Sequence, residues 1–251
     1  MKEIKDLLVR NPDFKLTDID ADDTFGKKQD GLEIELANLR TLLFELQSKL
    51  YAKNKNSVLI VLQGMDTSGK DGTIKHVISA LNPAWCNVVS FKKPTSIESS
   101  HDFLWRIHNA VPPTGFVGVF NRSHYEDIVE SRIQKLVPES EVSKRYDHIN
   151  YFERILMENR VKILKFFLHI SKEEQKKRLL ERASDPEKRW KEDSQDYKRR
   201  KKWKQYSRAY TDVIVRCGVK DVPWYVVPSN KKWFRNWIIA KIVCKTLEDL
   251  I

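Results

Sequence analysis

The segment Ser57–Gly72, reading SVLIVLQGMDTSGKDG, constrains this chain more than any other. Five consecutive aliphatic residues, Val58 to Leu62, suit a strand buried on both faces of a parallel sheet. Apolar residues at 74, 77, 78 and 81 follow at helical spacing, and Asn82-Pro83 closes that helix. Between strand and helix runs G-x-x-x-x-G-K, from Gly64 to Lys70. A tight glycine turn entering a helix gathers backbone N–H groups onto one anion. A lysine placed there reaches the outer phosphates as a point charge. The bland alternative is a glycine-rich turn with no ligand, but the spacing and the context agree on phosphate. The loop departs from the ordinary phosphate-binding form. Asp71 stands where Ser or Thr would hold Mg²⁺, and Asp66 puts a second carboxylate inside the turn. Such a loop must handle its metal differently.

Further strands are expected at 87–91, 116–120, 162–169 and 222–227, after the first at 57–63. Helices are expected near 71–81, 97–110, 144–160 and 171–183, with a closing amphipathic helix at 233–243. This alternation predicts an α/β fold of three layers around a parallel sheet. Residues 1–29 are polar and read as an irregular leader draped over the domain. From Leu32, apolar residues at 32, 36, 39, 43, 46 and 50 form a heptad-like stripe. It either packs on the chain's own sheet or forms a dimer seam. The organisation expected is a leader and packing helix over 1–56 and a domain over 57–251.

An apolar content of 41% with seven tryptophans excludes a disordered chain. No apolar run is long enough to span a bilayer, and Met1–Asp6 carry no signal-peptide pattern. Cys86, Cys217 and Cys244 are scattered and read as reduced thiols of a cytoplasmic protein. The net charge is +11, and it is concentrated. Residues 172–204 hold fourteen Lys and Arg against eight Asp and Glu, a net +6. A solvated helical face would account for such a run, but beside a phosphate loop it points to a polyanionic partner. Arg178 and Arg182 share a helical face, and Asp185-Pro186 breaks that helix. The basic stretch therefore reads as a broken pair of helices, a lid at about 172–210 that excludes water from a phosphoryl group.

The third strand runs into Asn121-Arg122-Ser123-His124-Tyr125-Glu126-Asp127. Ligands of parallel α/β folds sit at the carboxyl ends of strands. Carboxylate oxygens suit Mg²⁺, so Glu126 and Asp127 are candidates for metal or proton handling. Arg122 would neutralise charge on a transferring phosphoryl group. The structural alternatives are a salt bridge for Arg122 and helix-start charges for the two acids. His124 is read as structural. Lys92-Lys93-Pro94 follows the second strand into the same cleft. For Trp105 and Arg106 core packing and surface exposure, respectively, weigh equally with ligand contact.

Together these motifs resemble the type 2 polyphosphate kinase family, from about residue 30 to the end. The carrying segments are Gly64–Gly72, Pro94-Thr95, His101–Arg106, Phe120–Asp127 and the basic lid. The resemblance implies a thymidylate-kinase-like P-loop fold and Mg²⁺-dependent transfer (Mn²⁺ as a substitute) between inorganic polyphosphate and AMP, ADP or ATP. It implies catalytic roles for Asp66, Lys70, Arg122, Glu126, Asp127 and Arg178. Phosphate contacts fall to Gly64, Thr67, Ser68, Gly69, Lys70, Asp71, Gly72, Thr73, Arg182, Lys188 and Arg189. Nucleotide contacts fall to Lys92, Lys93, Pro94, Arg106, Asn121, Arg122, Tyr125, Glu126 and Arg132. Some members have Asp-Arg-Ser after the third strand. The Asn-Arg-Ser found here resembles the subgroup accepting both AMP and ADP, and it leaves the metal to Asp66 with Asp127 or Glu126. A homo-oligomer is expected, without membrane or nucleic acid as partner. The rival readings are an ATP-dependent small-molecule or nucleotide kinase and a P-loop nucleic-acid-binding protein. Acids inside the loop would repel a nucleic acid.

Overall fold

The computed structural model describes residues 2–187, 190, 194–218 and 221–251. In chain order the elements are α1 (Lys2–Asp6), α2 (Leu32–Lys53), β1 (Ser57–Gln63), α3 (Lys70–His76), β2 (Cys86–Ser90), α4 (Ser96–Ser99), α5 (Trp105–His108), β3 (Val117–Asn121), α6 (Glu126–Gln134), α7 (Glu139–Glu158), β4 (Val161–His169), α8 (Lys172–Ser184), α9 (Ser194–Lys201), α10 (Trp203–Arg216), β5 (Trp224–Pro228) and α11 (Lys232–Leu250). The five strands are all parallel, in the order β2-β3-β1-β4-β5. β1 lies at the centre and is buried along its whole length, as its unbroken aliphatic run requires.

Alternate residues of β1 feed two cores. Leu59 and Val61 join Tyr125, Ile128, Ile149, Phe152 and Tyr210 on one face. Val58, Ile60 and Leu62 join Leu43, Leu46, Leu50, Trp237 and Ile239 on the other. The stripe on α2 packs against α11 of its own chain and buries Leu43, Leu46 and Leu50. The leader is more ordered than its composition suggests. Val9 N–H donates to Trp224 O and Val226 N–H to Leu7 O, so the leader pairs antiparallel with β5 and covers that sheet edge.

Three local expectations change. The helix over 71–81 stops at His76 and is followed only by a 3-10 turn at Ile78–Ala80. The single helix over 97–110 is two one-turn helices, α4 and α5. Thr95 and Glu98 form a capping box that starts α4, and the Asp102 carboxylate takes the Leu104 N–H between the two. A helix unforeseen in the sequence, α6, begins directly after the β3 cluster. None of the helices described is long and apolar enough to cross a membrane.

Candidate active site

The loop after β1 turns on positive φ angles at Gly64 (149°), Thr67 (61°) and Gly69 (108°). Glycine suits two of these positions because an added Cβ is penalised there. At Gly64 that Cβ would also lie 2.6 Å from Leu168 O and 2.7 Å from Ser68 Oγ. Lys70 is only 8% exposed. Its ammonium donates to Gly64 O (2.7 Å) and Met65 O (3.1 Å). Burial, with Arg122 nearby, pushes its pKa down to about 8. Thr67 Oγ1 and Ser68 Oγ are buried with no hydrogen-bond partner among the described residues. Buried hydroxyls without a partner call for an explanation, and a glycine turn of converging backbone N–H groups is a setting that binds anions.

Asp66 is the meeting point of three elements. Arg122, at the end of β3, donates to Asp66 Oδ1 at 2.8 Å. Arg199, from α9, places Nη1 3.6 Å from Asp66 Oδ2. Gln175, from α8, donates to the Asp66 carbonyl at 3.1 Å. Burial works to raise the Asp66 pKa, but Arg122, Lys70 and Arg199 outweigh it and the carboxyl lies below its usual range. Arg122 also sits 3.7 Å from Glu126. Glu126 accepts from the Tyr210 hydroxyl at 3.3 Å, and burial raises its pKa. Asn121 Nδ2 donates to Asp71 Oδ1 at 2.9 Å, tying the unusual loop acid to the β3 end.

Other expected site residues are placed differently. Asp127 turns away from Glu126 and pairs with Arg106 at 3.3 Å, so Glu126 is the acid that shares a cation with Asp66. Tyr125 is wholly buried, between Glu153 and Lys165, and cannot meet a nucleotide. Arg132 is paired with Glu139 and with Asp212 (2.8 Å) on the α6, α7 and α10 helices. Arg178 spends its guanidinium on Glu174, Thr67 O, Ser68 O, Ser229 O and Asn230 O. It braces the loop from behind and does not present itself to a phosphate. Thr73 turns its hydroxyl to Gly69 O, 3.1 Å away, and Gly72 faces Arg235. Trp105 and Arg106 exchange the environments expected of them: Trp105 is 36% exposed, while Arg106 is 9% exposed and bridges Lys92 O and Asp127. Arg182 pairs with Asp196 at 3.0 Å. Lys188 and Arg189 lie outside the described residues. Arg199, Gln175 and Tyr210 were not singled out from the sequence. Arg199 stands in a run of basic residues at 198–202, and only packing decides which of these faces the loop.

The polyphosphate kinase 2 family profile matches residues 26–250, nearly the whole chain. The chain belongs to the polyphosphate kinase 2 family. An AMP/ADP-polyphosphate phosphotransferase of Meiothermus ruber is 48% identical over 94% of this chain and 90% of its own length. An ADP-polyphosphate phosphotransferase of Rhodopseudomonas palustris is 41% identical over 83% of this chain and 76% of its own length. The crystal structure of polyphosphate kinase 2 from Arthrobacter aurescens TC1 superposes with a TM-score of 0.95 at 39% identity, covering 99% of this chain and 89% of that one. The fold is therefore the P-loop kinase α/β fold.

Kinases of this kind work with a divalent metal. The described residues contain no group of three or more His, Cys, Asp or Glu that could hold one. Hard divalent ions are usually held by one or two carboxylates together with substrate phosphates. The Asp66–Glu126 pair around Arg122 offers such a donor set. The Lys70 ammonium carries a pH prediction. Its folded-state pKa is lowered, so the charge is complete below pH 8 and is lost as pH rises through 8. Metal-free affinity for inorganic tripolyphosphate should then weaken above that point, approaching about tenfold per pH unit. Calorimetric titration from pH 6.5 to 9.5 checks this, and Lys70→Met should flatten the profile.

Proposed function

We propose that this chain transfers the terminal phosphoryl group of inorganic polyphosphate to AMP and ADP, and catalyses the reverse reactions. The observation that carries the reading is the convergence on Asp66 of Lys70's loop, Arg122 from β3 and Arg199 from the lid. A donor lying along α8 and α9 would end where these cations meet. The relatives' names point to the same pair of substrates. An oxygen of the nucleotide's last phosphate attacks in line, and one P–O bond forms as the terminal P–O bond of the polymer breaks. The leaving polyphosphate is one unit shorter, and no covalent enzyme intermediate is needed.

Each residue has a part. Lys70 and the orphaned loop hydroxyls hold the donor's phosphates. Arg122 balances charge on the moving group, and on phosphate binding it exchanges Asp66 for substrate oxygens. Asp66 and Glu126 are the residues that would hold Mg²⁺, or Mn²⁺ in its place. When bound, that ion would neutralise charge on the substrate phosphates. Lys92, Lys93 and Pro94, fixed by Arg106 through Lys92 O, border the acceptor nucleotide. Residues 57–251 form the transferase domain with its lid at about 172–210, and residues 1–56 pack on it. We read the enzyme as cytoplasmic, consistent with its free cysteines, and as a homo-oligomer, consistent with Ile34 and Phe44 exposed on α2.

The test supplies polyphosphate with ADP and, separately, with AMP, in Mg²⁺ buffer without ATP, and reads ATP by luciferase and ADP by chromatography. ATP from the first mixture and ADP from the second are expected. Product from ADP alone would restrict the acceptor. Product only when ATP replaces polyphosphate would favour an ordinary ATP-dependent kinase.

A further inference from the structure

Behind the phosphate loop lies a charge that the mechanism above does not use. Arg235, in the first turn of α11, is 2% exposed. Its Nε and Nη2 both donate to a single neutral acceptor, Asn236 Oδ1, at 3.2 and 2.8 Å. Its Nη1 lies 3.5 Å from Ser68 O. No carboxylate pairs with it among the described residues. The neighbouring Arg178 is different, since Glu174 compensates it at 2.7 Å. Burial, with Arg178 nearby, pushes the Arg235 pKa down to about 9, which leaves it charged at neutral pH.

A buried cation without a counter-charge is costly, and an apolar side chain of similar length would be cheaper in the empty protein. The chain nevertheless makes room for it. A Cβ on Gly69 would collide with Arg235 Nη1, and one on Gly72 would lie 3.0 Å from Nη2. Gly72 lies inside α3 with no positive φ to require it, and glycine there weakens the helix. The space kept for the guanidinium accounts for that glycine.

The Ser68–Gly69 peptide supplies the link to the substrate. In a trans peptide the C=O and N–H point in opposite directions. Arg178 donates to Ser68 O at 3.3 Å and Arg235 stands near the same oxygen. The Gly69 N–H on the other side has no acceptor among the described residues. Two cations at the carbonyl end polarise that peptide toward an anion at its N–H end.

We propose that Arg235 is a positioning residue for the donor phosphate: acting through the Ser68–Gly69 peptide, its guanidinium strengthens the loop's hold on a phosphoanion, and that bound phosphate is its missing counter-charge. The proposal rests on the assignment of this loop as the polyphosphate site. The role is electrostatic, so it separates affinity from stability. A brace would lose both when removed. Arg235 should lose affinity while the empty protein gains or keeps stability.

The experiment compares wild type, Arg235→Lys and Arg235→Met by calorimetric titration with inorganic tripolyphosphate and by thermal melting without ligand. Arg235→Met should bind about tenfold more weakly and melt at or above the wild-type temperature. Arg235→Lys should recover most of the affinity, and in turnover the methionine variant should raise KM for polyphosphate more than it lowers kcat. Unchanged affinity in Arg235→Met would overturn the proposal. So would failure to fold, a markedly lower melting temperature, or equal weakening in the lysine and methionine variants, since each marks a purely structural role. A wild-type protein that binds ADP but not tripolyphosphate would instead refute the donor assignment, and the same series titrated with ADP would then read Arg235.

Discussion

Lys70→Ala should reduce phosphoryl transfer from polyphosphate by about a thousandfold or more, the scale seen when a principal positive group is removed from phosphoryl or oxyanion chemistry. The loop holds this ammonium next to the carbonyls of Gly64 and Met65. The same substitution should leave the fold intact. A lysine whose pKa has been pushed down to about 8 is stabilised less as a cation than it would be in water, so its removal relieves a desolvation cost. The luciferase assay measures the first effect and far-ultraviolet dichroism with thermal melting the second. Near-normal transfer by the alanine variant would remove Lys70 from the mechanism, whereas an unfolded variant would leave Arg122→Ala as the parallel test of the same charge cluster.

How much of this site could be read from sequence depended on how local its causes are. β1 and its loop were legible because an aliphatic run and glycines at positive φ express nearest-neighbour chemistry. The basic stretch was legible as a charge run, but Arg199's contact with Asp66 was not. It depends on how α9 lies against the loop, which no spacing within that stretch encodes. Arg178 was expected to hold phosphate and instead holds the loop's carbonyls, because α8 passes behind the turn. The segment after β3 shows the limit most clearly. Asn121 and Arg122 reach the loop acids, Glu126 reaches Arg122, and His124 is structural as read, yet Tyr125, expected to meet a nucleotide, is wholly buried. The Trp105–Arg106 reversal has a similar source. Hydrophobicity placed the indole inside, but it stacks on His101 at the surface. The guanidinium instead satisfies the half-buried Asp127 and a loop carbonyl. In α2, by contrast, the stripe was plain and only its partner was hidden, since α11 lies nearly two hundred residues further along the chain.

That core beneath the β3 segment carries the largest expected effect on stability. Lys165, in the middle of β4, is fully buried, and its ammonium donates to Glu153 Oε2 (2.7 Å), Cys217 O (2.6 Å) and the Tyr125 hydroxyl (3.1 Å). Burial alone would raise the Glu153 pKa, but Lys165 and His124 overcome it and hold the carboxyl below its ordinary value. Lys165→Met therefore strands a buried carboxylate and should cost about 3–5 kcal/mol, measured by urea unfolding at pH 7. The sign of the linkage sharpens the test. With Lys165 gone the Glu153 pKa should rise, so the variant should recover stability as the pH falls and the carboxyl takes up a proton. Lys165→Met with Glu153→Leu should be more stable than the single variant, because replacing a buried pair with apolar residues is far cheaper than leaving half of it. The Tyr125 hydroxyl would still lack its partners, at about 1–3 kcal/mol, so full recovery is not expected. A single-variant loss below about 1 kcal/mol would mean that the pair contributes little as a charge pair. Since Tyr125 precedes Glu126 directly, a softened network should also loosen the acid that shares Arg122 with Asp66. The double variant should then keep its fold while losing transfer activity, which ties this internal ion pair to the geometry of the cleft.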